Sequence, residues 1–330
     1  MIGVITRLLA ICAVTLPCVS VGADYTSLYD STTLQAAAET YNKNLTGTWN
    51  EDLVSRLPPS DREKAGQIRL RFPPVGTDRS PLSFSADASL RRVYVPTLSV
   101  KFLDDLAIAF AWLDHHGCDS SAAFDYVGMI RYQKFGGPIP PPLVALPVPK
   151  EALADQYVND VSGKILKSAI YFIMAHELAH ILYMHSGDVP FAVSQAQEIE
   201  ADAYALEVMR RLSVSSREPV PPMGMVVFFS AVSRFELAPG DFESTASFES
   251  FARHGVTHPL SADRLVTMAR AIRKNANDFS GGQNAWLERI RRIADDIEAI
   301  GKTLDDRQIR DFQRLRSLRT GMGALRTACK

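Results

Sequence analysis

The stretch from Ala169 to His185 constrains this chain more than any other. It holds no proline or glycine and is dense in apolar side chains, as a helix buried among other elements requires. His176, Glu177 and His180 lie within it. Helix positions four apart share one face about one turn apart, so the imidazoles of His176 and His180 can converge on one point. Packing or hydrogen bonding alone can also place two histidines on a buried helix, so the pattern needs support from elsewhere. The chain can build the core that such a helix needs, since 46% of its 330 residues are hydrophobic in type.

That support lies 18 residues beyond His180, where Glu198, Glu200 and Asp202 fall on a stretch that reads as a second helix from Gln195. Glu198 and Asp202 are four apart and share a face, whereas Glu200 is turned about 200° from Glu198, so one ion cannot readily use both glutamates. The turn Ser186-Gly187-Asp188-Val189-Pro190 has the composition to reverse the chain and bring the two helices together. The spacing predicts a metal centre with His176 and His180 as ligands, Glu198 as the third, and Asp202 as acceptor for the ring N–H of a ligating histidine. Glu177, about 100° from His176, reaches the remaining position as a general base without occupying it. Glu200 is the fallback third ligand. His185, five residues past His180, falls nearly on the opposite side of a continuing helix and one short of the metzincin spacing.

Around this region the chain reads as α+β and predominantly helical. Arg7 is the only charge before Asp24, followed by an apolar run and small residues up to Ala23, which predicts a signal peptide over 1–23 and a periplasmic or secreted protein. An uncleaved anchor is the alternative. Of four cysteines, Cys118 and Cys329 lie beyond that segment, and a disulfide or two thiols are both open. Residues 24–149 read as a mixed α/β region, with short or edge strands around Leu70 and at Val93-Tyr94-Val95 and a helix over Phe102 to Leu113 ending at Gly117. His115 and His116 suit a capping role there. Six of the twelve residues from Pro138 to Pro149 are proline, which predicts an extended, exposed connection and a boundary. Residues 150–275 read as the catalytic core, in which Met223 to Val232 is too short to cross a membrane and predicts a buried helix. Residues 276–330 read as a C-terminal helical region with an Ile290 to Leu304 seam and a solvated face of arginines. Charge is nearly balanced, 36 Lys and Arg against 37 Asp and Glu, so no nucleic-acid partner is expected.

Taken in order, His176-Glu-Leu-Ala-His180 with His185, then Glu198-Ile-Glu200-Ala-Asp202, then Thr257-His258-Pro259 with Arg264, resemble the gluzincin family of the CAAX prenyl proteases, the HtpX heat-shock proteases and the BepA-type periplasmic peptidases. The resemblance covers roughly residues 160 to 270. It implies a gluzincin-like fold, Zn2+ held by His176, His180 and Glu198, Glu177 as catalytic base, Asp202 as orienting residue, and His258 with Arg264 steadying the oxyanion or the substrate backbone. Tyr204 or Tyr183 are alternative oxyanion donors. The long apolar spans of the integral-membrane relatives are missing, so no membrane span is expected in the mature chain.

The expected function is an exported zinc metalloendopeptidase acting on polypeptides, envelope or misfolded proteins among them, with Val93 to Val95 as the edge strand that pairs with substrate. The alternative is a non-catalytic, metal-stapled envelope assembly or chaperone-like protein that meets partners through its C-terminal helices. A peptidase held latent by the proline-rich insertion is a third possibility.

Overall fold

The computed structural model describes residues 24–77, 80–186, 189–254 and 262–329, with the backbone alone at 252–254. The expected signal peptide and the Thr257-His258-Pro259 element lie outside the described residues. In chain order the elements are α1 (Ser31–Gly47), α2 (Pro59–Ala65), β1 (Arg69–Arg71), β2 (Ser85–Asp87), β3 (Arg92–Tyr94), α3 (Thr97–His115), α4 (Ala122–Tyr132) and the single turn α5 (Pro142–Ala145). They continue with α6 (Gln156–Leu182), α7 (Phe191–Ser216), α8 (Met223–Phe235), α9 (Thr245–His254), α10 (Ala262–Lys274), the turn α11 (Ala276–Phe279), α12 (Asn284–Asp305), α13 (Arg307–Arg319) and the turn α14 (Met322–Leu325). The fold is thus the predominantly helical α+β arrangement expected.

The central element is α6. Its N-cap Asp155 accepts from the backbone N–H groups of Tyr157 and Val158 at 2.8 and 3.2 Å, which satisfies two of the donors a helix start leaves unpaired. From Ser168 to Ile181 every residue is buried, against α3, α7 and α8. By length and composition α6 could cross a membrane, but 83% of its apolar window is buried inside the molecule, which makes it a core helix here. The start of α8 lies almost on α6: the Gly224 N–H donates to Ser168 Oγ at 2.8 Å, and a Cβ on Gly224 would stand 2.1 Å from the Ile165 carbonyl oxygen. Only glycine permits this approach. It lets the apolar stretch from Met223 pack as the buried helix expected from the sequence.

The strands form one small sheet in the order β1-β3-β2, with β1 parallel and β2 antiparallel to β3. The expectation of an edge strand at Val93 to Val95 is therefore corrected: β3 is central and its Val93 fully buried, while β1 and β2 are the outer strands. A buried valine flanked by half-buried neighbours reads the same from sequence in a short edge or a short central strand.

The proline-rich connection is neither wholly extended nor wholly solvent-exposed: α5 makes one helical turn within it, and only part of it, Val144 included, is exposed. Ile139, Ala145 and Leu146 are buried, and residues on both sides of it share one hydrophobic core that runs from Tyr25 to Leu325. At the C-terminal end Ile290, Ile293, Ile297 and Leu304 of α12 are buried against α10, each contributing ~1.5–3 kcal/mol by leaving water. The arginines of α13 also differ from the solvated face expected, because Arg310, Arg314 and Arg316 pair with Glu236, Asp241 and Asp125 and tie α13 to the body. Cys118 and Cys329 form a disulfide across a sequence separation of 211. His115 lies 3.5 Å from Asp155 and stacks on Tyr157, joining the end of α3 to the start of α6.

Candidate metal centre

α6 presents His176 and His180 one turn apart, α7 packs beside it and presents Glu198 and Asp202 on one face, and α10 supplies Arg264. These residues and Glu177 are all at most 9% exposed. The two Nε2 atoms of His176 and His180 are 3.1 Å apart. Glu198 spans both, with Oε2 3.4 Å from His176 Nε2 and Oε1 3.4 Å from His180 Nε2. Tetrahedral coordination with bonds of about 2.0–2.2 Å separates ligand atoms by about 3.3–3.6 Å, so the donor set fits a small divalent ion within a few tenths of an ångström. His176, His180 and Glu198 can therefore hold a metal ion.

The other nitrogen of each imidazole also faces a neighbouring side chain, although the angle at His176 Nδ1 falls short of a well-formed hydrogen bond. Asp202 Oδ1 lies 3.0 Å from His176 Nδ1. Arg264 grips the same carboxylate with both faces of its fork, Nε to Oδ2 at 2.8 Å and Nη2 to Oδ1 at 2.9 Å, and its Nη1 lies 3.0 Å from Glu198 Oε2. A guanidinium is suited to this, since its donors are planar and permanently charged. It balances two buried carboxylates that would otherwise be costly to take from water. The sequence resemblance implied a role for Arg264 in steadying substrate or oxyanion; among the described residues its donors point at Asp202 and Glu198.

These contacts set the protonation of the bare protein. Burial opposes charge on the His176 imidazole, but Asp202 and Glu198 outweigh it and lift the group to about 10. Burial also works against the Asp202 carboxylate, yet Arg264 and His176 hold it below the usual carboxylate range. Glu177 is pushed up to about 7 by burial, with Glu198 adding to the shift and His176 and Arg264 opposing it. A carboxyl poised near neutrality can both accept and return a proton.

His185 stands where the sequence reading did not put it. The helix stops at Leu182 rather than running to 185, and the chain turns back through Met184 in the left-handed region at φ 55°. The N–H of His185 donates to the His180 carbonyl at 2.9 Å and that of Met184 to the Ile181 carbonyl at 3.3 Å, the paired bonds of a Schellman cap. His185 Nδ1 thereby comes to 2.9 Å from His180 Nδ1, and its Nε2 to 3.1 Å from Glu200 Oε2. Glu200 is thus directed at His185 rather than at the ligand group. The usual signal of such a turn is glycine after the helix, and methionine stands there instead. Of the two tyrosines, the Tyr204 hydroxyl donates to Asp61 Oδ2 at 3.3 Å, and Tyr183 packs edge-on against Tyr204. His258 lies outside the described residues.

Residues 138–285, a little under half of the chain, match the family model of Peptidase U49. That span contains α6, α7 and α10, and with them the whole constellation of His176, Glu177, His180, Glu198, Asp202 and Arg264. No curated protein and no solved structure matches the chain. The region that holds the candidate metal centre is thus similar to a peptidase family, and this similarity supports a peptidase function in general.

Proposed function

We propose that the protein is an exported zinc-dependent endopeptidase that hydrolyses polypeptides, envelope or misfolded proteins among them. The observation that carries the reading is the convergence of His176, His180 and Glu198 on one point with the buried Glu177 beside them. Two imidazoles and one carboxylate are a donor set that suits zinc and leaves one position open. When bound, zinc supplies Lewis acidity to the scissile carbonyl and to water. Glu177 takes the proton of the attacking water and returns it to the departing amine. Asp202 orients His176, while Arg264 holds Asp202 and Glu198 in place and balances their charge. The resemblance of the motifs to the CAAX prenyl protease, HtpX and BepA-like gluzincins supports a role for His258 in steadying the oxyanion or the substrate backbone.

An open groove of about 610 Å³ runs between β2 and the end of α6, lined by Ser85, Asp87, Tyr94, Met184 and His185 among others. β2 lines it and, among the described residues, is an outer strand of the sheet, and an extended peptide can add to such a strand by main-chain hydrogen bonds. Substrate pairing therefore moves from Val93 to the Ser85–Asp87 strand. Export is supported by the signal-like N-terminus and by the Cys118–Cys329 disulfide.

The test compares wild type with Glu177→Gln for zinc content and for cleavage of an unfolded protein such as casein. The variant is expected to retain zinc and to lose about 10²–10⁴-fold in turnover. Undiminished cleavage by Glu177→Gln would refute the hydrolytic reading. The non-catalytic alternative draws on the apolar side chains that α13 exposes, Ile309, Phe312, Leu315 and Leu318. It gains ground if the zinc-loaded variant supports every function of the wild type in the cell.

A further inference from the structure

We propose that His185 and Glu200 form an outer arm of the metal centre, in which Glu200 orients His185 and His185 accepts the Nδ1 proton of His180. The inference rests on the metal-centre reading above and assigns roles to two residues outside the ligand set.

The argument is one of proton placement. A neutral imidazole carries one N–H and one lone pair, so His180 can present the lone pair of Nε2 to an ion only while its proton sits on Nδ1. That proton needs an acceptor. The atom facing it, at 2.9 Å, is His185 Nδ1. For this nitrogen to accept, the proton of His185 must sit on its own Nε2, and that atom lies 3.1 Å from Glu200 Oε2, which only accepts. Each atom along the line Glu200, His185, His180 therefore has one self-consistent role, and the line ends with the His180 lone pair aimed at His176 and Glu198.

The two ligating histidines are thus held in different ways. Asp202 meets His176 directly and is buried, so its charge requires Arg264. For His180 the carboxylate acts through a second imidazole. The side chain of His185 is 6% exposed and that of Glu200 57%, so the charge stays in water while the hydrogen bond reaches the buried ring. The backbone is arranged for this contact, because the Schellman cap at Met184 folds His185 back onto the residue whose carbonyl it caps. Partners of this kind fix ring orientation and ligand basicity, and their removal weakens metal binding about 10–100-fold.

A bare helix-terminus role, with His185 and Glu200 as a surface pair near the end of α6, would change folding stability but not discriminate between substitutions by their hydrogen-bonding power. Zinc affinity is measured by competition with a chromophoric chelator on metal-stripped wild type, His185→Leu, His185→Asn and Glu200→Gln, alongside thermal unfolding of each stripped protein. His185→Leu is expected to weaken binding roughly 10–100-fold. His185→Asn, whose amide oxygen can accept the same proton, is expected to recover most of the loss, while the two variants unfold at similar temperatures. Glu200→Gln, altered only at an exposed position, is expected to shift affinity in the same direction by less. Equal affinity for wild type and His185→Leu, or equal losses for Leu and Asn, overturns the arm alone. Failure of the wild type to take up zinc overturns the metal centre and the arm with it.

Discussion

Asp105 lies on the buried face of α3, where the Tyr29 hydroxyl donates to its Oδ2 at 2.8 Å and Lys101 pairs with its other oxygen. Burial raises its carboxyl above the usual range, with Lys101 and Tyr29 opposing the shift. A carboxyl raised in the folded state binds its proton more tightly there than in the unfolded chain. Its contribution is therefore most favourable at acid pH and is lost as pH rises from the unfolded value of about 3.9 through the raised folded one. Asp105→Asn removes this titration while leaving an oxygen for Tyr29. The slope of unfolding free energy against pH, measured by urea denaturation above pH 4, should be more negative for the wild type than for the variant, because the wild type loses stability with rising pH across this window and the variant loses less. An identical slope would show that Asp105 does not carry the effect. At this scale the sequence was informative where periodicity decides the answer. His176 with His180 and Glu198 with Asp202 are both four apart on helices, and the structure places each pair on one face. Arg264 itself was picked out by the motif resemblance, but its partners were not legible, because a residue 62 positions beyond Asp202 meets that carboxylate only through the packing of α10 on α7.

Among the elements, α6 shows most clearly what could and could not be read from the chain. Its buried face follows from the apolar run, but its end does not, since the left-handed residue that closes it is Met184 rather than glycine. A helix imagined as continuing to 185 sends His185 away from His180. Stopping at Leu182 brings the two rings to 2.9 Å. The left-handed conformation costs a non-glycine residue roughly 1–2 kcal/mol, and a β-branched residue tolerates it least. Met184→Gly should preserve the turn and zinc affinity, and Met184→Val should displace His185 and weaken affinity in the manner of His185→Leu. Chelator competition on the three proteins checks this, and tight binding by the valine variant would separate the turn from the metal centre. The small sheet makes a similar point, because nothing in three-residue strands told which would be central. That order is decided by which partners the rest of the fold supplies.

Across the whole molecule, the features least legible from sequence are those that connect distant segments. The prolines between 138 and 149 suggested an exposed connection, yet tertiary packing buries Ile139, Ala145 and Leu146 within the shared core. The arginines of α13 suggested a solvated face, yet their partners Asp125, Glu236 and Asp241 come from elements 70 or more residues away in sequence. The disulfide binds the same region from the other side: it fastens Cys329 near the chain's end to Cys118 just past α3, and the Asp119 N–H donates to the Ala328 carbonyl at 2.9 Å beside it. A crosslink over so long a loop stabilises chiefly by limiting the unfolded chain, and its removal typically costs about 2–5 kcal/mol. α13 packs on α4, which packs in turn on α8, and α8 lies against α6. Reduction, or the double substitution Cys118→Ser and Cys329→Ser, is therefore expected to lower the unfolding midpoint of the whole protein rather than merely to loosen its last turn. Denaturation followed at once by far-ultraviolet circular dichroism and by tryptophan fluorescence decides the matter. A single transition shifted to lower denaturant supports one cooperative unit closed by the disulfide. An unshifted main transition preceded by a small early loss of helix would mean that the C-terminal helices unfold on their own and that the bond protects only them.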